Sequence, residues 1–235
     1  MPSEDQLLTR AQRLWAGLAK VPSDYPAENP TVLVSPDSGL CPPGWVGVVL
    51  LGGAALVTAP TEPVAERLRQ AAGRLTPQAL ADPQALGAVL RPTEVLGPAT
   101  LAYLAPEEFG PAHEHRAEEL APDHPALCAL RDRATPAEAD ETDLADLTFA
   151  VLDDGRALAA AGYHRWPGGA AQLNVFTDPD HRSRGLARSA ASAAVAHALA
   201  AGLLPQWRAR PPASRRVAAA LGFRELGAQL SLRLA

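Results

Sequence analysis

Lysine is almost missing from this chain: Lys20 is the one lysine among 21 basic residues, and all the others are arginine. Beside heavy use of alanine and proline this reads as coding bias, so a cluster of arginines carries less meaning here than usual. Cysteine is scarce too. Cys41 and Cys128 are the only two and lie far apart, so a disulfide framework is not indicated, and two cysteines fit a reducing cytosol. The N-terminus carries Glu4 and Asp5, with no basic start and apolar core, so no secretory signal is expected. Val46 to Val57 is apolar for only twelve residues, short of the roughly 20 that span a bilayer. These absences predict a cytoplasmic protein with no membrane partner. His-Glu-x-x-His is absent as well. His113-Glu114-His115 and His124 invite a metal reading, but nothing supplies further ligand spacing, and no metal is expected.

What is present describes a folded α/β protein. The chain has 235 residues, 47% of them apolar, 23 prolines and a formal net charge of −5. That length holds one large or two small domains. Arg182, Arg184, Arg188, Arg208, Arg210, Arg215, Arg216 and Arg224 make the last third basic, which could be read as a nucleic-acid patch. The net negative charge and the arginine bias argue against it, and no nucleic-acid partner is expected.

The N-terminal half carries no chemical motif. Glu4 to Lys20 has the apolar spacing of an amphipathic helix, with Leu7, Leu8, Ala11, Leu14, Trp15 and Leu18 on one side. Thr31 to Val34 reads as a short strand, and Trp45 to Thr58 as two strands about Gly52-Gly53. Glu62 to Arg74 and Thr76 to Leu90 read as helices, the second opened by Thr76-Pro77. Thr100 to Leu104 is a strand candidate and His124 to Arg133 a helix candidate. The polar stretch from Arg131 to Asp143, which contains Pro136, reads as a linker. We therefore expect an α/β segment over 1–135 and a second domain over 136–235.

The second half alternates strands and helices. Leu147 to Leu152 and Ala157 to Trp166 flank a hairpin turn at Asp153-Asp154-Gly155-Arg156. Pro167-Gly168-Gly169 turns the chain into a strand over Ala170 to Thr177. A basic loop with one glycine follows, Asp178 to Gly185, and then an alanine-rich helix over Leu186 to Ala201, stopped by Gly202. Leu203 to Arg210 reads as a strand in which Pro205 argues for an edge or a bulge. Ala213 to Leu221 reads as a helix and Gln229 to Leu234 as a half-buried strand. Strand, glycine loop and helix N-terminus together form an anion-binding device. The first N–H groups of a helix lack internal partners, and the helix dipole is positive there. Gly185 lets a phosphate approach the backbone, while Arg182 and Arg184 add charge.

Arg182-x-x-Gly185-x-Ala187 resembles the pyrophosphate loop of the GNAT superfamily of acyl-CoA-dependent N-acyltransferases. The element order from Asp140 to Leu234 is similar to that of the GNAT core from its second strand onward. Ser214 with Leu221-Gly222-Phe223 resembles the Ser/Ala and Leu-Gly-Phe near the end of that core. The resemblance implies a GNAT-like α/β fold, a mixed and mostly antiparallel sheet flanked by helices. For the smaller α/β segment before it two readings stay open: a degenerate second copy of the same fold, or a cap over the acceptor site.

The resemblance also implies a site. Val175, Phe176 and Thr177 match the strand that pairs with the pantetheine arm. Arg182, Ser183, Arg184, Gly185, Leu186 and Ala187 match the phosphate loop, and Ser214 the start of the helix beside the pantetheine. Acetyl-CoA is the implied cosubstrate, and the implied reaction is direct acetyl transfer to the amine of a small molecule or an amino terminus. A homodimer is left open. The usual chemistry is not where the family puts it. Pro211 stands in place of Asn, Ala218 in place of the Tyr that serves as thiolate acid, and about Ala171 in place of the Glu that serves as base. The substitutes are His164, Tyr163 and Asn174, each with a purely structural alternative. Glu138, Asp140, Glu141 and Asp143 could hold a cationic amine or form a solvated face. A non-catalytic acyl-CoA-binding module is the alternative reading.

Overall fold

The computed structural model describes residues 5–23, 25, 30–136, 138, 143 and 147–235. Glu4, Asp140 and Glu141 therefore lie outside the described residues. The chain packs as two compact units, Met1–Ala102 with Glu225–Ala235, and Tyr103–Arg224. Among the described residues no helix is long and apolar enough to cross a membrane.

In the first unit the Asp5 side chain accepts from the Leu8 N–H at 3.3 Å and opens α1 (Gln6–Leu18). Leu7, Ala11, Leu14, Trp15 and Leu18 form its buried stripe, as the helical period requires. The strands β1 (Thr31–Val34), β2 (Val46–Leu51) and β3 (Ala54–Ala59) follow, then α2 (Glu62–Ala72). The single helix expected over Thr76–Leu90 is two, α3 (Pro77–Leu80) and α4 (Pro83–Leu90). Pro83 has no N–H to continue α3, and the Asp82 carboxylate instead caps α4 through the Gln84 N–H at 2.8 Å. β4 (Glu94–Tyr103) is twice the expected length.

The last strand, β10 (Arg224–Arg233), returns to this unit and pairs antiparallel with β2, Leu230 opposite Val48. The local order is β1-β3-β2-β10-β4, with β1 and β3 parallel. Val48, Val57, Leu68, Leu86 and Leu230 meet in its core. The packing units thus differ from the division expected at 135/136. Linker composition is a local signal, whereas the return of β10 depends on pairing with a strand far earlier in the chain, Leu230 with Val48, 182 residues apart.

The second unit holds β5 (Ala117–Leu120), α5 (Pro125–Arg131), β6 (Thr148–Asp153), β7 (Arg156–Trp166), β8 (Ala170–Thr177), α6 (Leu186–Ala200), β9 (Leu204–Ala209) and α7 (Pro212–Ala220). Its strands run in the order β9-β8-β7-β6-β5. Every pair is antiparallel except β8 with β9. This is the mixed, mostly antiparallel sheet flanked by helices that the resemblance implies. One face packs on α5, where Ala160 and Phe176 meet Leu127 and Leu130. The other packs on α6, whose Ala190, Ala191, Ala194, Val195 and Ala198 are fully buried. Small side chains on one helix stripe let it lie close to the strands.

Pro205 does not mark an edge. β9 pairs with β8 on one side, and on the other the Pro205 carbonyl accepts the Leu104 N–H at 3.3 Å. Proline lacks only a donor, and its carbonyl can still join a ladder.

Candidate functional site

β8 pairs with β7 along its whole length, from Ala170 opposite Trp166 to Thr177 opposite Ala159. With β9 it pairs only at Ala170–Leu204, Ala171–Pro205 and Gln172–Gln206. From Leu173 onward the two parallel strands part, and the β9-facing edge of β8 is left open toward its C-terminal end. A parted pair of parallel strands exposes backbone donors and acceptors that an extended ligand can use.

Three polar side chains are buried where the strands part. The Tyr103 hydroxyl donates to Gln206 Oε1 at 2.8 Å, Gln206 Nε2 donates to Gln172 Oε1 at 2.7 Å, and Gln172 Nε2 donates to the Leu173 carbonyl at 3.0 Å. Each is buried, and the bonds repay the cost of taking amides out of water. Sequence reading missed all three, although a glutamine inside each of two apolar strands is a signal that a buried partner is needed.

Beyond Thr177 the chain enters the basic loop, which is anchored by Asp178. This carboxylate is 1% exposed and lies 2.9 Å from Arg133 Nε, 3.5 Å from His181 Nδ1 and 3.7 Å from Arg156 Nη2. It also accepts the Asp180 N–H at 3.0 Å, and its own N–H donates to the Leu158 carbonyl at 2.9 Å. Burial pushes the Asp178 carboxyl up, but the Asp180 N–H, the Arg133 guanidinium and His181 together outweigh it and leave the group below its ordinary 3.8. Because the folded value is the lower one, this carboxylate stabilises the fold fully above pH 3.8, and the contribution is lost as pH falls through the folded value. Asp178→Ala should cost about 1–3 kcal/mol at neutral pH, since the Asp180 N–H loses its acceptor and Arg133, which keeps Asp180, loses its buried partner. Urea unfolding of both proteins should show the gap at pH 7 and its narrowing below pH 3.8.

The loop closes at Ser183 and Gly185, whose φ angles are +63° and +79°. Gly185 occupies the N-cap position of α6, and no side chain caps that helix. The first intrahelical bond runs from the Ser189 N–H to the Gly185 carbonyl at 3.1 Å. The preceding N–H groups at the helix start, including those of Leu186 and Ala187, have no partner within the helix. Leu186 is buried and Ala187 half-buried, so the first anchors the turn and the second lines it.

Arg182 differs from expectation. Its guanidinium pairs with Glu138 at 2.5 Å, and its Nε lies 3.5 Å from the Thr177 carbonyl. Glu138 is held by the Thr135 N–H at 3.0 Å and hydroxyl at 2.8 Å. Those two bonds, then Arg182, hold its carboxyl below the ordinary 4.5. Glu138 is thus occupied by a protein cation. Arg184 is exposed at the turn itself.

The three substitute residues fall on two faces. Tyr163 and Val175 face α6, and the Tyr163 hydroxyl lies 2.9 Å from His197 Nδ1. His164 and Asn174 are brought together on the opposite face: His164 Nε2 and Asn174 Nδ2 both donate to the Asp143 carbonyl, at 2.8 and 2.7 Å. A carbonyl only accepts, so the His164 proton sits on Nε2, and Nδ1 is the basic nitrogen of the neutral ring. Phe176 is in the α5 core, while Thr177 ends the open strand edge. Ser214 begins α7 and accepts the Trp207 indole N–H at 2.9 Å. Phe223 of the Leu-Gly-Phe run packs edge-on against Trp207, ring centres 5.4 Å apart. His124 is taken up at the start of α5, where its Nδ1 accepts the Ala126 N–H at 3.2 Å.

Residues 147–228 match the family model described as GNAT acetyltransferase. The likeness to the GNAT family lies in this segment of the chain. Several solved GNAT proteins are similar to it in structure. A putative GNAT acetyltransferase from Novosphingobium aromaticivorans DSM 12444 is 24% identical over 62% of this chain and 67% of its own, with a TM-score of 0.47. A GCN5-related N-acetyltransferase from Kribbella flavida is 18% identical over 65% of this chain and 63% of its own, also at 0.47. The aminoglycoside N-acetyltransferase AAC(6')-Iy, solved in complex with CoA, is 24% identical over 47% of this chain and 92% of its own, at 0.36. No curated protein matches the chain. Within the matched segment lie the parted strands β8 and β9, the loop, α6 and α7.

Proposed function

We propose that this protein is an N-acetyltransferase that moves acetyl from acetyl-CoA to a primary amine by direct transfer. The observation that carries this reading is the open edge of β8 running straight into the uncapped, positive-φ turn at Gly185. An amide-bearing arm can pair with the edge over Val175, Phe176 and Thr177, and a diphosphate can take the N–H groups of Gly185, Leu186 and Ala187. Ser183 and Arg184 complete that turn, and Ser214 lies at the start of the helix that follows β9. When bound, the cosubstrate supplies an activated thioester carbon and a thiolate leaving group.

The protein's own work is then positioning and proton handling. His164 Nδ1 is the group suited to take the proton that an ammonium must lose before it can attack. Asn174 bonds the same Asp143 carbonyl as His164 and supports that arrangement. The acceptor, a small-molecule amine or an amino terminus, is read as reaching the face that carries His164. A cytoplasmic setting suits this chemistry, because acyl-CoA is held there.

A second reading has a specific observation behind it. Ala218 and Ala171 stand where relatives carry an acid and a base, and the Tyr163 hydroxyl is engaged by His197. A domain that binds acyl-CoA without turnover would look the same at those positions. Free-thiol release from acetyl-CoA across a panel of amines separates the two. The transferase reading expects release above background hydrolysis with at least one amine, and a loss of about 10²–10⁴-fold in His164→Ala. Saturable binding without release from any amine supports the binding module.

A further inference from the structure

The segment before β5 reaches across the start of α6. The Ala112 N–H donates to Ser192 Oγ at 2.9 Å and the His115 N–H to Ser189 Oγ at 3.3 Å. Both serines are buried, and they lie three residues apart on one side of an otherwise alanine-rich helix, where they bond this strap. Glu114 pairs with Arg188 in the same turn at 3.1 Å. The strap carries the His115 ring to the loop, where Nε2 lies 2.9 Å from the Arg184 carbonyl. That carbonyl can only accept, so His115 is the donor whichever charge the ring carries. A Cβ placed on Gly185 would lie 3.9 Å from the same nitrogen.

The peptide between Arg184 and Gly185 is planar and trans, so its C=O and N–H point in opposite directions. Holding the carbonyl toward His115 therefore turns the Gly185 N–H to the far side of that peptide plane. Without the ring, the peptide between two residues of a loop with positive φ at Ser183 and Gly185 could rotate and present its oxygen where its N–H now lies. An anion would then meet a partial negative charge in place of a donor.

Resting on the acyl-CoA reading above, we infer that His115 is a positioning residue for the phosphate turn, fixing the direction of the Gly185 N–H through the Arg184 carbonyl. It comes from a strap 69 residues upstream of the residue it holds. It belongs to no part of the loop motif, and the match to the family model begins beyond it, at residue 147.

The test uses the full chain, with acetyl-CoA as the probe, in three forms: wild type, His115→Ala and His115→Gln. Calorimetric affinity for acetyl-CoA and the unliganded melting temperature are both read. His115→Ala should weaken binding about tenfold, the size expected for misdirecting one donor to an anion. Its unliganded melting point should stay within about 2 °C of wild type, because the strap keeps its bonds to Ser189 and Ser192. His115→Gln, which retains a side-chain N–H donor, should recover most of the loss. Affinity in His115→Ala within twofold of wild type overturns the inference while leaving the acyl-CoA reading intact. So does a loss that tracks a fall in unliganded melting point and is not relieved by glutamine. A wild type that does not bind acetyl-CoA overturns the reading itself, and this inference with it.

Discussion

Gly222→Ala is expected to destabilise the protein by at least about 3 kcal/mol, a fall in melting temperature of roughly 6–12 °C for a chain of this size. The glycine has a φ of +97°, and a Cβ there would lie 2.0 Å from the carbonyl oxygen of Glu108. No rotamer relieves that overlap, because the obstacle is backbone. The left-handed conformation adds about 1–2 kcal/mol for any other residue. Either the turn after Pro106–Glu108 or the link from α7 to β10 must move. The second choice shifts Phe223 off Trp207, and with it the indole that donates to Ser214. A useful control is Gly155→Ala in the β6–β7 hairpin, where φ is +77° but nothing lies within 4 Å of the new Cβ. It should cost only the conformational part, about 1–2 kcal/mol. Thermal melts of the two variants beside wild type check both. Equal small losses would mean that the Glu108 carbonyl is not where the structure puts it.

This gives the Leu221-Gly222-Phe223 run a physical meaning. In the sequence it is a resemblance. In the fold its glycine permits a close backbone crossing, and its phenylalanine closes the apolar packing around the tryptophan that holds Ser214. A short motif of this kind is legible because its members are neighbours in the chain and its geometry is local. For the same reason the strand, loop and helix around Gly185 could be read in advance. The Asp-Gly hairpin, the alanine-rich helix and the turn at Gly202 also lay where the pattern put them.

The parts that escaped sequence reading are pairings over long distances in the chain. Nothing near Arg182 says that Glu138 will take its charge, so the loop's expected cation is partly neutralised by an acid from 44 residues upstream. Nothing near Tyr163 says that His197 will face it across the sheet–helix interface. His115 looked like a candidate ligand and serves as a donor to a loop carbonyl instead. Two signals were present but unused. Gln172 and Gln206 interrupt apolar strands, and buried amides demand partners. Ser189 and Ser192, spaced by three in a run of alanines, mark a helix side that meets something polar. Pro83 was a third, since an aspartate followed by a proline is a helix start as well as a break. The division of the chain was the least legible feature, because the closing strand of the first unit is the last of the sequence.

We propose that the open edge of β8 and the turn at Gly185 form an acyl-CoA site. Thermal unfolding of wild type and of Gly185→Trp, with and without acetyl-CoA, tests it most directly. Tryptophan at a φ of +79° strains the turn and fills the space above the α6 N-terminus, next to His115. It does so without entering the core, so the variant should fold, with an unliganded melting point lowered by the strain of about 1–2 kcal/mol. Wild type at a hundred times its Kd should gain about 2.7 kcal/mol, a readable upward shift, and Gly185→Trp should gain none. A wild type that does not shift at millimolar acetyl-CoA, or a variant that folds and shifts equally, would mean that the β8 edge and the Gly185 turn are not an acyl-CoA site.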